Sequence, residues 1–220
     1  MREQFRQELK KLKADVVGIG KDVALVTRDA VTSLVTGNED LAERIIAHDD
    51  EFDRRCLGIE ERALETIATQ SPVARDLRLL HSLTYIAMHL ERMADLSVNI
   101  AKATRRTAER RGPQTLYDLI QAQGNLVYRV LDATVEALEK SDLELARKLP
   151  ELDEPIDHLY KQFFRELARL HDEEDIEWAS LMVLASRYLE RIADNAVDIG
   201  ERIAYLITGE RDWPAENASS

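Results

Sequence analysis

Four pairs of acidic residues share one spacing, i and i+4: Asp49/Asp53, Glu91/Asp95, Asp153/Asp157 and Glu190/Asp194. On a helix this spacing stacks two carboxylates on one face, where like charges repel by roughly 0.2–0.5 kcal/mol per pair. A chain that keeps such pairs needs something to neutralise them. Oxygen-only donors suit hard cations, Mg, Mn, Ca or oxidised iron, rather than soft metals. Acid pairs of this spacing are common in a chain with 42 acids, and Glu39/Glu43, Glu61/Glu65, Asp132/Glu136 and Glu173/Glu177 also occur. Only the first four recur in register. Glu91, Arg92, Asp95 and Ile100 fall on Glu190, Arg191, Asp194 and Ile199, an offset of 99. Leu41, Ile45, Asp49, Phe52 and Asp53 fall on Leu145, Leu149, Asp153, Ile156 and Asp157, an offset of 104. The pairs also lie beside the apolar stripes of their helices, next to Phe52, Leu90, Ile156 and Leu189. Asp198 extends the second set by one turn, and Asn99 holds that place in the first. The competing reading is a set of surface carboxylates satisfied by Arg54, Arg92, Arg191 and water.

These registers make the chain a tandem duplication. Apolar spacing is helical nearly throughout and strand signals are absent. Phe5, Leu9, Leu12, Val16, Ile19, Val23, Val26 and Ala30 form a seam of alternating steps, predicting a first helix that ends at Gly37-Asn38. Leu41, Ile45, His48, Phe52, Cys56, Ile59 and Ala63 mark a second helix. A third should open at Ser71-Pro72, with the serine as N-cap, and carry Leu80, Leu83, Ala87, Leu90 and Ala94. Gly112-Pro113 divides the copies.

The second copy repeats the plan. Ser141 to Glu144 reads as a capping box, and Pro150 and Pro155 predict a kink or a late start in its middle helix. The loop His171 to Asp175 is five residues shorter than its counterpart, the difference between 104 and 99. The expected fold is all-α: six long helices in two pseudo-symmetric three-helix bundles, residues 1–112 and 113–208, with a disordered tail over 209–220. Packing the middle helix of each bundle against the last one brings four carboxylates together.

The composition narrows the function. A net charge of −12 argues against nucleic acid or an anionic membrane as main partner. No segment has the length and apolarity of a membrane span or a signal peptide, so a cytoplasmic protein is expected. Cys56 is the single cysteine and reads as a small buried hydrophobe. None of the five histidines follows an acid by three residues, which excludes the Glu-x-x-His of ferritin-type centres. Walker, His-Glu-x-x-His and Gly-x-Ser-x-Gly motifs are absent too, so binding rather than catalysis is expected. His48 and His89 read as packing residues, and His158, beside Asp157, as an alternative outer ligand. The basic run Lys102, Arg105, Arg106, Arg110 and Arg111 suits a helix C-terminus.

The segments SPVARDLRLLHSLTYIAMHLERMADLSVNIAK and YLERIADNAVDIGE, with the paired Asp-x-x-x-Asp segments, resemble the PhoU family of phosphate-uptake regulators over residues 1 to 208. The resemblance implies a multinuclear metal cluster, iron foremost, with Mg, Mn or Zn as alternatives. On this sequence the ligands would be Asp49, Asp53, Glu91 and Asp95 in one site, and Asp153, Asp157, Glu190 and Asp194 in the other, with Asp198 adjoining. It also implies a cytoplasmic negative regulator of phosphate uptake and phosphate-starvation signalling. Such a regulator links the ATPase subunit of the phosphate ABC transporter to a phosphate-sensing histidine kinase and reaches the membrane only through its partners; the amphipathic seams make a homodimer the expected assembly. A metal-independent helical scaffold is the alternative. The second copy lacks a PVARDLR segment, and Pro155 separates its middle-helix acids, so a distorted second site is expected.

Overall fold

The computed structural model describes residues 2–169 and 176–210 and is helical, with no strand among the described residues. The first repeat comprises α1 (Arg2–Thr36), a broken middle helix α2 (Glu39–Ala47) and α3 (Asp49–Gln70), and α4 (Ala74–Thr107). The second comprises α5 (Gln114–Lys140), α6 (Leu143–Arg147) and α7 (Leu149–Leu167), and α8 (Ile176–Thr208). The loop 171–175 and the tail from 211 onward lie outside the described residues.

The ends of α1 and α5 follow one device. Gly37 (φ 69°) and Ser141 (φ 53°) both take the left-handed conformation. The next residues reach back to close a Schellman turn, Asn38 N–H to Ser33 O and Asp142 N–H to Ala137 O, both at 2.9 Å. Those same residues then cap the next helix, Asn38 Oδ1 accepting from Leu41 N and Asp142 Oδ1 from Leu145 N, both at 3.0 Å. This corrects the expected capping box, because Ser141 terminates α5 and Asp142 is the cap. Asp142→Ala should therefore cost about 1 kcal/mol in urea unfolding, whereas Ser141→Gly should be neutral or stabilising. The reverse ranking would put the cap back on Ser141. Ser71 is a second correction. It closes α3 in the left-handed conformation at φ 47°, its N–H on Ile67 O, so it cannot open α4, which begins at Ala74.

The middle helices are each broken, the first where a single rod was expected, and at non-equivalent points. The first breaks at His48, immediately before Asp49. The second breaks at Lys148, which aligns one turn earlier, with Arg44. Pro150 explains the shift: it has no N–H to give and is best placed in the first turn of a helix, where none is needed, so α7 begins at Leu149. This is the late start its prolines predict. The break also turns His48 outward. It is exposed, with Nδ1–H on Arg44 O at 2.7 Å, and does not pack in the core as expected.

The repeats pack as one body. α1 lies along α5, α4 along α8, while α3 and α7 flank them on the outside. Buried residues of both repeats form one continuous core, including Leu83, Met93, Ile100, Tyr117, Phe163 and Leu189. Cys56 is buried as expected, and burial pushes its thiol up to about 12. No described helix is long and apolar enough to cross a membrane.

Candidate metal centre

Asp49 and Asp53 occupy the first two turns of α3, and Glu91 and Asp95 the middle of α4, against which α3 packs. One carboxylate oxygen each from Asp53, Glu91 and Asp95 lies within 4.8 Å of the others. Asp49 flanks them: its Oδ2 is 4.0 Å from Lys102 Nζ, and its Oδ1 is buried with no hydrogen-bond partner. Burial, with the neighbouring acids adding to it, raises the carboxyls of Asp49, Glu91 and Asp95 above the ordinary range. Lys102 opposes the shift at Asp49 and Asp95.

The second cluster, on α7 and α8, is deeper and less regular. Glu190 is only 8% exposed. Asp153 is pushed up to about 7, by burial first and then by Asp157, Asp194 and Glu190. Glu190 also rises to about 7, by burial and then by Asp194. Burial and Asp157 raise Asp194. This cluster does not close to the spacing of the first. Two side chains differ there: Arg187 Nη1 holds Glu190 Oε1 in a short ion pair, where the first repeat has Met88 three residues before Glu91, and Glu201 stands where the first repeat has Lys102.

Among the described residues, five buried side-chain polar atoms have no hydrogen-bond partner, and three of them are Asp49 Oδ1, Asp153 Oδ1 and Glu190 Oε2. Each such atom costs roughly 1–3 kcal/mol unless something satisfies it. Two clusters of hard oxygen donors, each short of a positive partner, fit divalent or trivalent cations that take oxygen ligands. The residues therefore suit the metals the resemblance implies.

Other candidates lie outside the two clusters, Asp198 near enough to Asp194 for its charge to help raise that carboxyl. Asp198 lies on the α4/α8 seam, its Oδ2 3.7 Å from Nδ1 of His89 in the first repeat. That imidazole is buried as expected and donates to Asn195 Oδ1 at 2.8 Å, and burial lowers its pKa below the ordinary value. His158 is exposed and turned back to Glu154 O at 2.9 Å. In the basic run, Arg106 pairs with Glu177 at 2.7 Å, and Arg111 lies over the Tyr117 ring at 4.4 Å. The sequence placed Lys102 in the basic run without its link to the acids, and gave Arg187 no role. Arg187 had a signal, its i, i+3 spacing to Glu190. Lys102 had none, since its acid lies on another helix.

A family model of the PhoU domain matches the chain twice, over residues 16–104 and 120–203. The phosphate-specific transport system accessory protein PhoU homolog 1 of Thermotoga maritima is 34% identical over 209 residues, 94% of this chain and 90% of that protein. A PhoU homolog of Clostridium acetobutylicum is 30% identical over 216 residues, covering 96% and 97%. The crystal structure of PhoU from Pseudomonas aeruginosa matches with a TM-score of 0.89 at 28% identity, covering 94% of this chain and 100% of that one. The phosphate transport system regulatory protein PhoU from Streptococcus pneumoniae matches at 0.86 and 28%, covering 95% and 99%.

Proposed function

We propose a role from a premise the two matched domains establish: this chain belongs to the PhoU family and is an accessory protein of a phosphate-specific transport system. Within it, Asp49, Asp53, Glu91 and Asp95 bind one multinuclear cluster, and Asp153, Asp157, Glu190 and Asp194 a second, with Asp198 adjoining. Iron is the metal the family resemblance implies first, with Mg, Mn or Zn as alternatives. The protein acts by binding, not catalysis. As a cytoplasmic homodimer it restrains phosphate uptake and starvation signalling by connecting the transporter ATPase to a phosphate-sensing histidine kinase.

One observation carries the metal reading: three buried carboxylate oxygens, split between two clusters, have no protein partner. Native sequences seldom leave such groups unsatisfied. A metal-independent scaffold would leave that cost standing at both sites.

The deciding experiment is elemental analysis of protein purified without chelator or affinity tag, beside the Asp95→Ala/Asp194→Ala variant. Several equivalents of iron or another transition metal are expected in the native chain and none in the variant. A well-folded native chain that is metal-free and still binds both partners would return the function to a metal-independent adaptor.

A further inference from the structure

The outer groove between α3 and α4 encloses about 400 Å³ and combines two kinds of surface. Its apolar part is Leu57, Met88 and the edges of Cys56 and Ala87. Leu57 is 54% exposed and Met88 42%, so both present side chains that nothing in the chain covers. Its rim is acidic: Asp53, Glu60 and Glu91 against one cation, Arg54, whose Nε is turned back to Asp50 O at 3.1 Å. Leu64, 58% exposed and two turns beyond Leu57, extends the apolar line along α3.

An apolar line bordered by one sign of charge matches a helix laid lengthwise with its own apolar stripe inward and cations at its edges. The second repeat offers no copy of it. Lys161 stands where the first has Leu57, Phe164 where it has Glu60, and Arg187 where it has Met88.

We propose that this groove docks a cationic amphipathic helix of a partner protein, and that metal opposes the docking, because Asp53 and Glu91 belong to both the rim and the first carboxylate cluster. The second clause rests on the metal reading above; the first does not. A bound cation cancels the charge that the lysines of a docked helix need and adds repulsion of its own. The antagonism is reciprocal, since each ligand must weaken the other by the same factor.

The probe is a labelled Leu/Lys amphipathic helix of about 14 residues, near the lower limit for helix formation, read by fluorescence anisotropy with the chelated full-length protein. Leu57→Lys/Met88→Lys should weaken it roughly tenfold or more. Phe164→Lys/Leu184→Lys adds the same charge at exposed sites of the second repeat and should do much less. Equal losses in the two variants would reduce the binding to net charge and overturn the proposal. So would self-association of the native chain, seen by sedimentation and abolished by Leu57→Lys/Met88→Lys, because a second copy would then be the occupant.

Mn²⁺ added to the native protein, its binding followed independently by calorimetry, should weaken the peptide by roughly 5–150-fold. Mn²⁺ that binds without moving the peptide affinity overturns the competition. Mn²⁺ that fails to bind removes the metal reading and the competition with it, while the docking stands or falls on the variants.

Discussion

Freed of metal, the protein should lose thermal stability as the pH rises from about 4 to about 7, and iron or manganese should restore it. The sign follows from the carboxyls. Asp153 and Glu190 are raised in the folded chain to about 7, from ordinary values of 3.8 and 4.5. Between those limits the unfolded chain has released protons that the native chain still holds, so stability falls as pH rises and levels off above the folded values. Asp49, Glu91, Asp95 and Asp194 are shifted the same way and add to the slope. The groups titrate as clusters, so the fall should be a broad transition and not separate steps.

Subtracting a variant that lacks the two most strongly shifted carboxyls removes the background of the rest of the chain. The telling quantity is therefore the native chain minus Asp153→Asn/Glu190→Gln, both in chelator. From pH 5 to 8 the native chain should lose roughly 5–10 °C more than the variant. Saturating metal at pH 8, at about 1,000 times its dissociation constant, should return about 4 kcal/mol per site, from both clusters in the native chain and from the first alone in the variant. Parallel melting curves for the two proteins would mean that the buried carboxylates carry no strain for a metal to relieve.

That strain was partly legible in the sequence, for a definable reason. Helical periodicity is local, so acids four residues apart must share a face, and the double register of Asp49/Asp53 with Asp153/Asp157 pointed to the same two helices in each repeat. What could not be read depends on contacts between distant residues or on backbone conformation. Ser71 and Ser141 follow the composition of N-caps, yet both occupy left-handed C-terminal positions more often filled by glycine. His48 followed an apolar stripe, but the stripe is interrupted at His48 itself, and the imidazole turns to solvent. The expectation of a distorted second site rested on the missing PVARDLR segment and on Pro155. In the structure Pro155 lies inside α7, and the evident differences at the acids are Arg187 in place of Met88 and Glu201 in place of Lys102.

The packing of the two repeats on each other was not read from the sequence, and it carries the second large effect. Gly124→Ala should destabilise the protein by about 1–3 kcal/mol, although alanine in a helix is normally worth about 1 kcal/mol over glycine. A Cβ at Gly124 would sit 2.7 and 2.8 Å from the two methyls of Val31 on α1. Val31 is buried and β-branched, with no free rotamer into which to retreat. The contact is duplicated: a Cβ at Gly20 would meet Val135 on α5 at 2.8 Å. Gly20 and Gly124 are equivalent at the offset of 104, and so are Val31 and Val135. Each repeat's glycine thus receives the other repeat's valine, the reciprocal contact expected of a two-fold interface, here within a single chain.

A double-mutant cycle tests this. Val31→Ala alone should cost stability by leaving a cavity, but Gly124→Ala/Val31→Ala should be better than the sum of the singles by more than about 1 kcal/mol. Additive losses would show that the helices part freely at this crossing. Gly20→Ala/Val135→Ala should behave alike and more weakly, because the close approach at Gly20 is to a single methyl. The same crossing fixes α1 against α5, and α3 and α7 pack on those helices as well as on α4 and α8. A shift there should therefore reach both carboxylate clusters, and Gly124→Ala should lower metal affinity at sites it does not touch, with Val31→Ala restoring it.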